Sequence, residues 1–412
     1  MPSSSDLHWN NFDDENEQRA AVLTSMDRRR GFLAQNCQRG KRGICISVLL
    51  FSIIICAVLL AYTAFAAPTS NENTLQQVIL IFRHGDRNPT ETYAKDPYRN
   101  YNWPDGWGAL TKKGMAQLYN LGQWIRNNYG FLIGKKFYSS VISVESSYAD
   151  RCIMSAQALL AGLFPPSVDD MFIPNLAWRP VPVHSTPRDL DKIIVVKAPC
   201  PRLEQALTEA YEQESAARSP EMIRYYQELT ELTGNEMKTI TDVEFLYNTL
   251  EIEELKGLKL PEWTKKYYNR NMREMAAKSL AIFTNSTIQQ RLTGGPLLKE
   301  ILKHMQAAKL RTQWKRAHLY SVHDITLVNI LRTMGFRSEL FKPEYGATLI
   351  FELHSTNTGS DKEVKVRYLN STESTLTHPM TIEGCPEPCF LENLPITWKD
   401  VLPDNWDKEC FN

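Results

Sequence analysis

The chain has 412 residues, 43% of them hydrophobic and 23% charged, which is ordinary for a globular protein and too long for one simple domain. Lysine plus arginine and aspartate plus glutamate are both 47, so the formal net charge is zero. That balance argues against a nucleic-acid partner, which calls for an overall or local basic excess. No internal repeat or long low-complexity stretch interrupts the chain.

Residues 1–43 are polar and read as a disordered cytosolic tail. The run from Ile44 to Ala67 carries no charge over 24 residues. At about 1.5 Å per residue it spans roughly 36 Å as a helix, enough for a bilayer core. Arg28, Arg29, Arg30, Arg39, Lys41 and Arg42 precede it, so the N-terminus stays cytosolic and the rest is translocated. Two readings stay open. The run is either an uncleaved signal anchor, giving a type II membrane protein, or a signal peptide cut after Ala64-Phe65-Ala66. Its length and the residues before it favour the anchor, and in either case the bulk of the chain faces the lumen or the outside.

The exported part holds Cys152, Cys200, Cys385, Cys389 and Cys410, an odd number that leaves one thiol over. Cys385-Pro-Glu-Pro-Cys389 suits a small closed loop. No second Cys or His pair has zinc-like spacing, so no metal and no cofactor is called for. Asn285-Ser286-Thr287 and Asn370-Ser371-Thr372 are glycosylation sequons.

Beyond residue 74 the pattern is α/β. Val78 to Phe82 is an apolar run that reads as a buried strand, ending in Arg83-His84-Gly85-Asp86-Arg87-Asn88-Pro89. Thr111 is a candidate cap for a helix carrying Met115, Leu118, Leu121, Trp124 and Ile125. A strand is expected over Phe137 to Val144, then Glu145 to Arg151, then a helix from about Cys152 to Leu163. From about Leu203 to Lys309 helical periodicity replaces β-branched runs, predicting an inserted, mainly helical subdomain. Ala317 to Val322 is another strand, with His323-Asp324 at its end and a helix through Met334 closed by Gly335. Thr348 to Leu353 and Val364 to Leu369 complete the predicted sheet.

Three strand ends therefore present Arg83, His84 and Arg87; Arg151; and His323 with Asp324. In an open α/β sheet ligands bind at the carboxyl ends of strands. Guanidinium groups match phosphate oxygens in pairs, a neutral imidazole can attack phosphorus, and a carboxylic acid can protonate a departing alkoxide. Those parts suffice for phosphomonoester hydrolysis. Taken singly, His323-Asp324 is equally a helix start, and Arg151 an ion pair with Asp150. His184, His304, His318, His354 and His378 read as structural or surface residues, and the aromatic stretch from Tyr98 to Trp107 as loop packing.

The motifs Arg83-His84-Gly85-Asp86-Arg87-Asn88-Pro89 and Tyr320-Ser321-Val322-His323-Asp324, with Trp103 to Thr111 before the first helix, resemble the histidine acid phosphatases over roughly residues 75–412. The resemblance implies a mixed central sheet flanked by helices. It implies His84 as a nucleophile that becomes phosphohistidine, Asp324 as proton donor, and Arg83, Arg87, Arg151 and His323 as phosphate binders. It also implies an acid pH optimum, a homodimer, disulfides Cys200–Cys410 and Cys385–Cys389, and Cys152 as the free thiol. Relatives commonly hold a third disulfide for which this chain has no cysteines, and lysosomal relatives carry a C-terminal membrane segment absent here. The function expected is acid phosphatase activity. A phytase-like specialised phosphatase and a silent ectodomain that binds phosphorylated ligands are the alternatives.

Overall fold

The computed structural model describes residues 74–411, apart from 269, 339 and 357–360. The tail at 1–43 and the apolar run at 44–67 lie outside the described residues. Among those described, no helix is long and apolar enough to cross a membrane.

A seven-stranded sheet forms the centre, in the order β3-β2-β4-β1-β5-β6-β7. Here β1 is Leu75–Arg83, β2 Ile142–Ser146, β3 His184–Ser185, β4 Ala317–Val322, β5 Thr348–Ser355, β6 Lys362–Leu369 and β7 His378–Met380. The strands β3, β2, β4 and β1 run parallel, while β5, β6 and β7 join antiparallel, so the sheet is mixed. β1 is buried throughout its apolar run because helices cover both faces, as a central strand requires. Its side chains alternate. Val78, Leu80 and Phe82 enter one core with α1 (Lys112–Ile133) and α2 (Asp150–Leu163). Ile79 and Ile81 enter the other with α7 (Gly295–Leu310) and α8 (Asp324–Thr333). Each fully buried Leu, Ile or Phe stabilises such a core by about 1.5–3 kcal/mol.

Thr111 caps α1, accepting from the Gly114 amide at 3.1 Å. Gly335 takes φ +108° just past α8, the left-handed position that ends a helix without a Cβ penalty. The second strand begins at Ile142, five residues later than the apolar pattern suggests. The Val141 and Ile142 amides both donate to the Tyr138 carbonyl, so a turn consumes the preceding residues.

Between β3 and β4 the chain forms α3 (Pro201–Ala216), α4 (Pro220–Thr233), α5 (Ile240–Leu255) and α6 (Arg270–Ala281). These four contribute to a separate apolar cluster through Ala210, Tyr226, Leu229, Leu246, Leu250 and Met272. The last helix of the stretch, α7, instead packs Leu298, Ile301 and Met305 on the sheet. Cys200, at the start of α3, bonds Cys410 of α9 (Trp406–Phe411), and Cys385 bonds Cys389. Cys152 is a buried free thiol.

On α5, Glu253 is 1% exposed. Burial and the neighbouring Asp96 push its carboxyl up to about 8. The folded state thus favours the neutral acid. That stability is fully present below the ordinary glutamate value and lost as pH rises towards 8. The thermal midpoint should fall between about pH 5 and pH 8, and Glu253→Gln should flatten that slope and raise the midpoint at pH 8 by about 2–4 °C. Thermal unfolding across the pH range checks it; an equal slope in the variant would refute it.

Candidate active site

The parallel register sets Arg83 beside Val322 and Ser146 beside Ser321, so β1, β4 and β2 end side by side. Pairing continues for one more rung. His84 donates its amide to the Val322 carbonyl at 3.0 Å, and Ser147 to the Ser321 carbonyl at 3.0 Å. Beyond these rungs the side chains Arg83, His84, Arg87, Arg151, His323 and Asp324 come together.

Arg83 is 2% exposed, with one hydrogen bond on each Nη and a buried Nε that has no hydrogen-bond partner. Nη1 donates to the Pro343 carbonyl at 2.7 Å and Nη2 to Asp324 Oδ2 at 2.6 Å, while the Tyr345 ring lies 4.2 Å from Cζ. Burial works against the charge on Asp324, but Arg83, Lys342 and Arg87 outweigh it and hold the carboxyl below its usual range. Asp324 is the first residue of α8 and its Oδ1 accepts from the Ile325 amide at 2.9 Å.

His84 Nδ1 lies 2.9 Å from the Gly85 carbonyl, which can only accept, so Nδ1 carries the hydrogen and Nε2 the lone pair. Arg151 confirms that tautomer by donating Nε–H to Nε2 at 3.2 Å. Burial, then Arg151 and Arg83, keep the His84 imidazole neutral far below its ordinary pKa. Arg151 also reaches His323 Nδ1 through Nη2 at 3.1 Å. Burial and Arg151 depress His323 to about 3. The two imidazole centroids stand 5.5 Å apart, edge to face. Arg87 donates Nη1 to the Asn88 carbonyl at 3.0 Å, is 6% exposed, and has a buried Nε with no hydrogen-bond partner.

The loop after β1 is seated on the first turn of α1. A Cβ on Gly85 would lie 2.4 Å from the Gly114 carbonyl oxygen, and one on Gly114 would lie 2.2 Å from the Asp86 carbonyl oxygen. Only glycine at both positions permits that approach. The Gly85 amide donates to Ser155 Oγ of α2 at 3.1 Å. The Asp86 amide donates to Gln117 at 2.9 Å, and its carboxylate accepts from Thr111 at 2.5 Å and from Lys256 at 3.3 Å. Asp86 therefore ties the loop to α1 and to the segment just beyond α5. Asn88 donates to the Pro104 and Gly106 carbonyls, folding the Trp103–Thr111 segment beside it.

The motifs named Asp86 without giving it this role, and gave no sign of Tyr345, Lys342, Ser147 or Ser155. Ser147 and Ser155 flank Arg151 in sequence, a place where support for a strand-end arginine can be sought. Tyr345 and Lys342 lie in a loop that precedes β5 and carries no recognisable pattern. A cleft of about 430 Å3 opens beside Arg83, walled by Tyr247, Tyr268, Glu251, Lys342 and Tyr345 among others. Two of the three further cations lining it are already paired, Lys342 with Glu251 and Arg273 with Glu344. The remaining site residues lie apart. Asn285 and Asn370 are both exposed, Cys200–Cys410 is buried in the apolar cluster at the chain end, and Cys385–Cys389 closes the loop after β7.

A strand-end cluster of three arginines and two histidines, with one helix-starting carboxylate, defines an α/β protein built to hold a compact anion such as phosphate. The model of the histidine phosphatase superfamily (branch 2) matches residues 74–371. Human lysosomal acid phosphatase is 33% identical over 361 residues, 86% of this chain and 84% of that protein. Rat prostatic acid phosphatase is 32% identical over 343 residues, 82% of this chain and 89% of that protein. Among solved structures, apo Hafnia alvei phytase matches with TM-score 0.60 at 15% identity, covering 82% of this chain and 98% of that one. The Bifidobacterium longum multiple inositol polyphosphate phosphatase matches at 0.55 and 12%, covering 81% and 94%. These two likenesses concern the fold alone. The chain belongs to the histidine phosphatase superfamily, branch 2.

Inorganic phosphate should raise the thermal midpoint of the wild-type protein, since a ligand of the folded state stabilises it. Gly85→Ala forces the loop off α1 at about 1–3 kcal/mol and should lower the midpoint and abolish the phosphate-dependent rise. A thermal-shift titration checks both, and a retained rise in the variant would refute the role given to the close approach.

Proposed function

We propose that this site hydrolyses phosphate monoesters through a phosphohistidine formed on His84. The protein is an acid phosphatase. The observation that carries the mechanism is the tautomer of His84: Nδ1–H is held by the Gly85 carbonyl, leaving Nε2 bare at the centre of the arginine cluster.

A phosphoryl group entering the cluster draws Arg83, Arg87 and Arg151 onto its oxygens. Arg151 leaves His84 Nε2, which attacks phosphorus as the bond to the leaving oxygen breaks. The new P–N bond replaces the P–O bond, and the leaving alkoxide takes a proton from Asp324. Water then attacks the phosphohistidine, its proton passing to Asp324, and the P–N bond breaks to return His84. Stabilisation of the equatorial oxygens by fixed guanidinium groups supplies most of the rate. Asp324 is ionised in the resting site because Arg83 faces it. The bound phosphate offsets the arginine charge, and with it the force that keeps Asp324 ionised, so Asp324 takes up its proton with substrate.

The pH sense follows. His84 is held neutral, so acid does not disarm the nucleophile. Asp324 must be protonated in the complex, so turnover falls as pH rises through its value there. The single free cation among the three further cations lining the cleft supports simple monoesters over a phytase-like preference for many phosphates.

In the full-length protein, His84→Ala should abolish phosphate release and the acid-labile phosphoprotein trapped from substrate. Asp324→Asn should slow alkyl phosphates by roughly 10²–10⁴ while slowing aryl phosphates much less, because a phenolate leaves without a donated proton. Equal slowing of both classes, measured as kcat near pH 5, would refute the role of Asp324. A folded wild type with phosphate binding and no turnover would leave the silent-ectodomain reading in its place.

Residues 44–67 anchor the chain with its catalytic part on the lumenal or extracellular side, supported by the basic residues before them. Cleavage after Ala66 would give a secreted form instead, and lysosomal and prostatic relatives support a lysosomal or extracellular setting. Exposure of Asn285 and Asn370 supports glycosylation there. A homodimer is supported by the exposed Phe172, Ile173 and Trp178, which precede the edge strand β3 in the chain. Light scattering should give twice the protomer mass for the wild type, and Trp178→Lys should reduce it to one protomer; no change would refute this interface.

A further inference from the structure

The hydrogen-bond directions around His323 are fixed by elimination. Arg151 Nη2 lies 3.1 Å from His323 Nδ1, and a guanidinium can only donate, so Nδ1 carries the lone pair. Nε2 therefore carries the hydrogen, and Ser147 Oγ lies 2.8 Å away to accept it. Cys152 Sγ lies 3.6 Å from the same Nε2, a longer contact than the one to Ser147. The Cys152 thiol points on to the Val322 carbonyl at 3.7 Å. All four residues are buried or nearly so, and Ser147 is 1% exposed. Its position is set by the last rung of the β2–β4 pairing, where its amide donates to Ser321.

We infer that Ser147 is a positioning residue for the reaction: its hydroxyl accepts from the Nε2–H of His323 and holds the ring so that the bare Nδ1 stays turned towards Arg151 and the phosphate pocket. This rests on the phosphate-binding role given to His323 above. When Arg151 turns to a phosphoryl oxygen, Nδ1 is the nitrogen left facing it, and a proton taken up by His323 goes there and not to the far side of the ring. Arg151 and Cys152 of α2, Arg83 at the end of β1, His84 and Arg87 of the loop after it, and Asp324 all face this imidazole. The arginines oppose its charging and Asp324 favours it. A neutral hydroxyl orients the ring without adding a charge to that balance, which a carboxylate in its place would upset.

The test uses full-length wild type, Ser147→Ala and Ser147→Thr. In 15N-histidine spectra, with the His323 signal assigned from His323→Gln, the wild type should show Nε2–H and a bare Nδ1 with and without inorganic phosphate, and Ser147→Ala a mixture once phosphate has drawn Arg151 away. Ser147→Ala should keep its thermal midpoint and KM for an aryl phosphate, while kcat falls roughly ten- to a hundredfold and its pH profile changes shape. Ser147→Thr, which retains the hydroxyl, should restore both. Wild-type kcat and pH profile in folded Ser147→Ala would overturn the inference, as would an Nδ1–H signal for His323 in the wild type, which needs no variant to fold. An inactive wild type that still shows the Nε2–H form would instead overturn the phosphatase reading.

Discussion

The backbone pairing of β1 with β4, and of β4 with β2, is the constraint on which the rest depends. Two parallel ladders bring three strand ends to one line, and each ladder extends a single rung past its strand, at His84 and at Ser147. Those two rungs fix the backbone from which the imidazole of His84 and the hydroxyl of Ser147 project. A slip of one residue in either ladder would turn every side chain to the opposite face. β1 is buried on both faces, with Val78, Leu80 and Phe82 fitted into one core and Ile79 and Ile81 into the other, so a slip would exchange side chains between two packed cores. The apolar core therefore determines where the charged cluster stands.

The cluster itself is electrostatically unfavourable when empty. Three guanidinium groups converge with one carboxylate opposite, and burial adds to the penalty on each charge. The protein answers with neighbours that do not compete for phosphate. Arg83 is held by a carbonyl, a carboxylate and the face of Tyr345. Arg151 is held by two imidazoles that burial, and then Arg151 itself, keep neutral. In the proposed mechanism a nucleophile and an acceptor both need a neutral imidazole, so the arginine that would bind phosphate also favours the required form of the two histidines. An incoming dianion relieves the repulsion among the cations, and the empty site is poised for an anion for that reason.

Much of this was legible in the sequence, and the reason differs by element. Arg83, His84 and Arg87 follow an apolar run that only a buried strand explains, and His323-Asp324 follow another, so strand ends could be read from periodicity alone. That both ends meet depends on sheet order, which periodicity does not carry and the structure gives as β4 beside β1. Arg151 is the contrasting case, since nothing local separates it from an ordinary helix-start residue. The start of β2 was misplaced because the apolar pattern from Phe137 continues through a turn, where periodicity does not distinguish strand from packed loop. Tyr345, Lys342 and Ser147 were illegible because their partners lie far away in sequence: Tyr345 meets Arg83 across 262 positions, and Ser147 meets His323 across 176.

Asp86 shows how the loop is joined to the helical subdomain. Its carboxylate takes Thr111, the cap of α1, and Lys256, just past the end of α5. The same α5 carries Tyr247 and Glu251, which wall the cleft, and Glu251 holds Lys342 beside Asp324. The subdomain therefore reaches the strand-end cluster by two charged links, one to the loop bearing His84 and one to the neighbourhood of Asp324, the proposed proton donor. A displacement of α5 would alter the floor of the cleft and the field at Asp324 together. That coupling makes the helical insertion, folded around its own apolar cluster, part of the site in the proposed mechanism and not an appendage: the sheet carries the arginine–histidine cluster, and the insertion supplies the cleft wall and the charges beside Asp324.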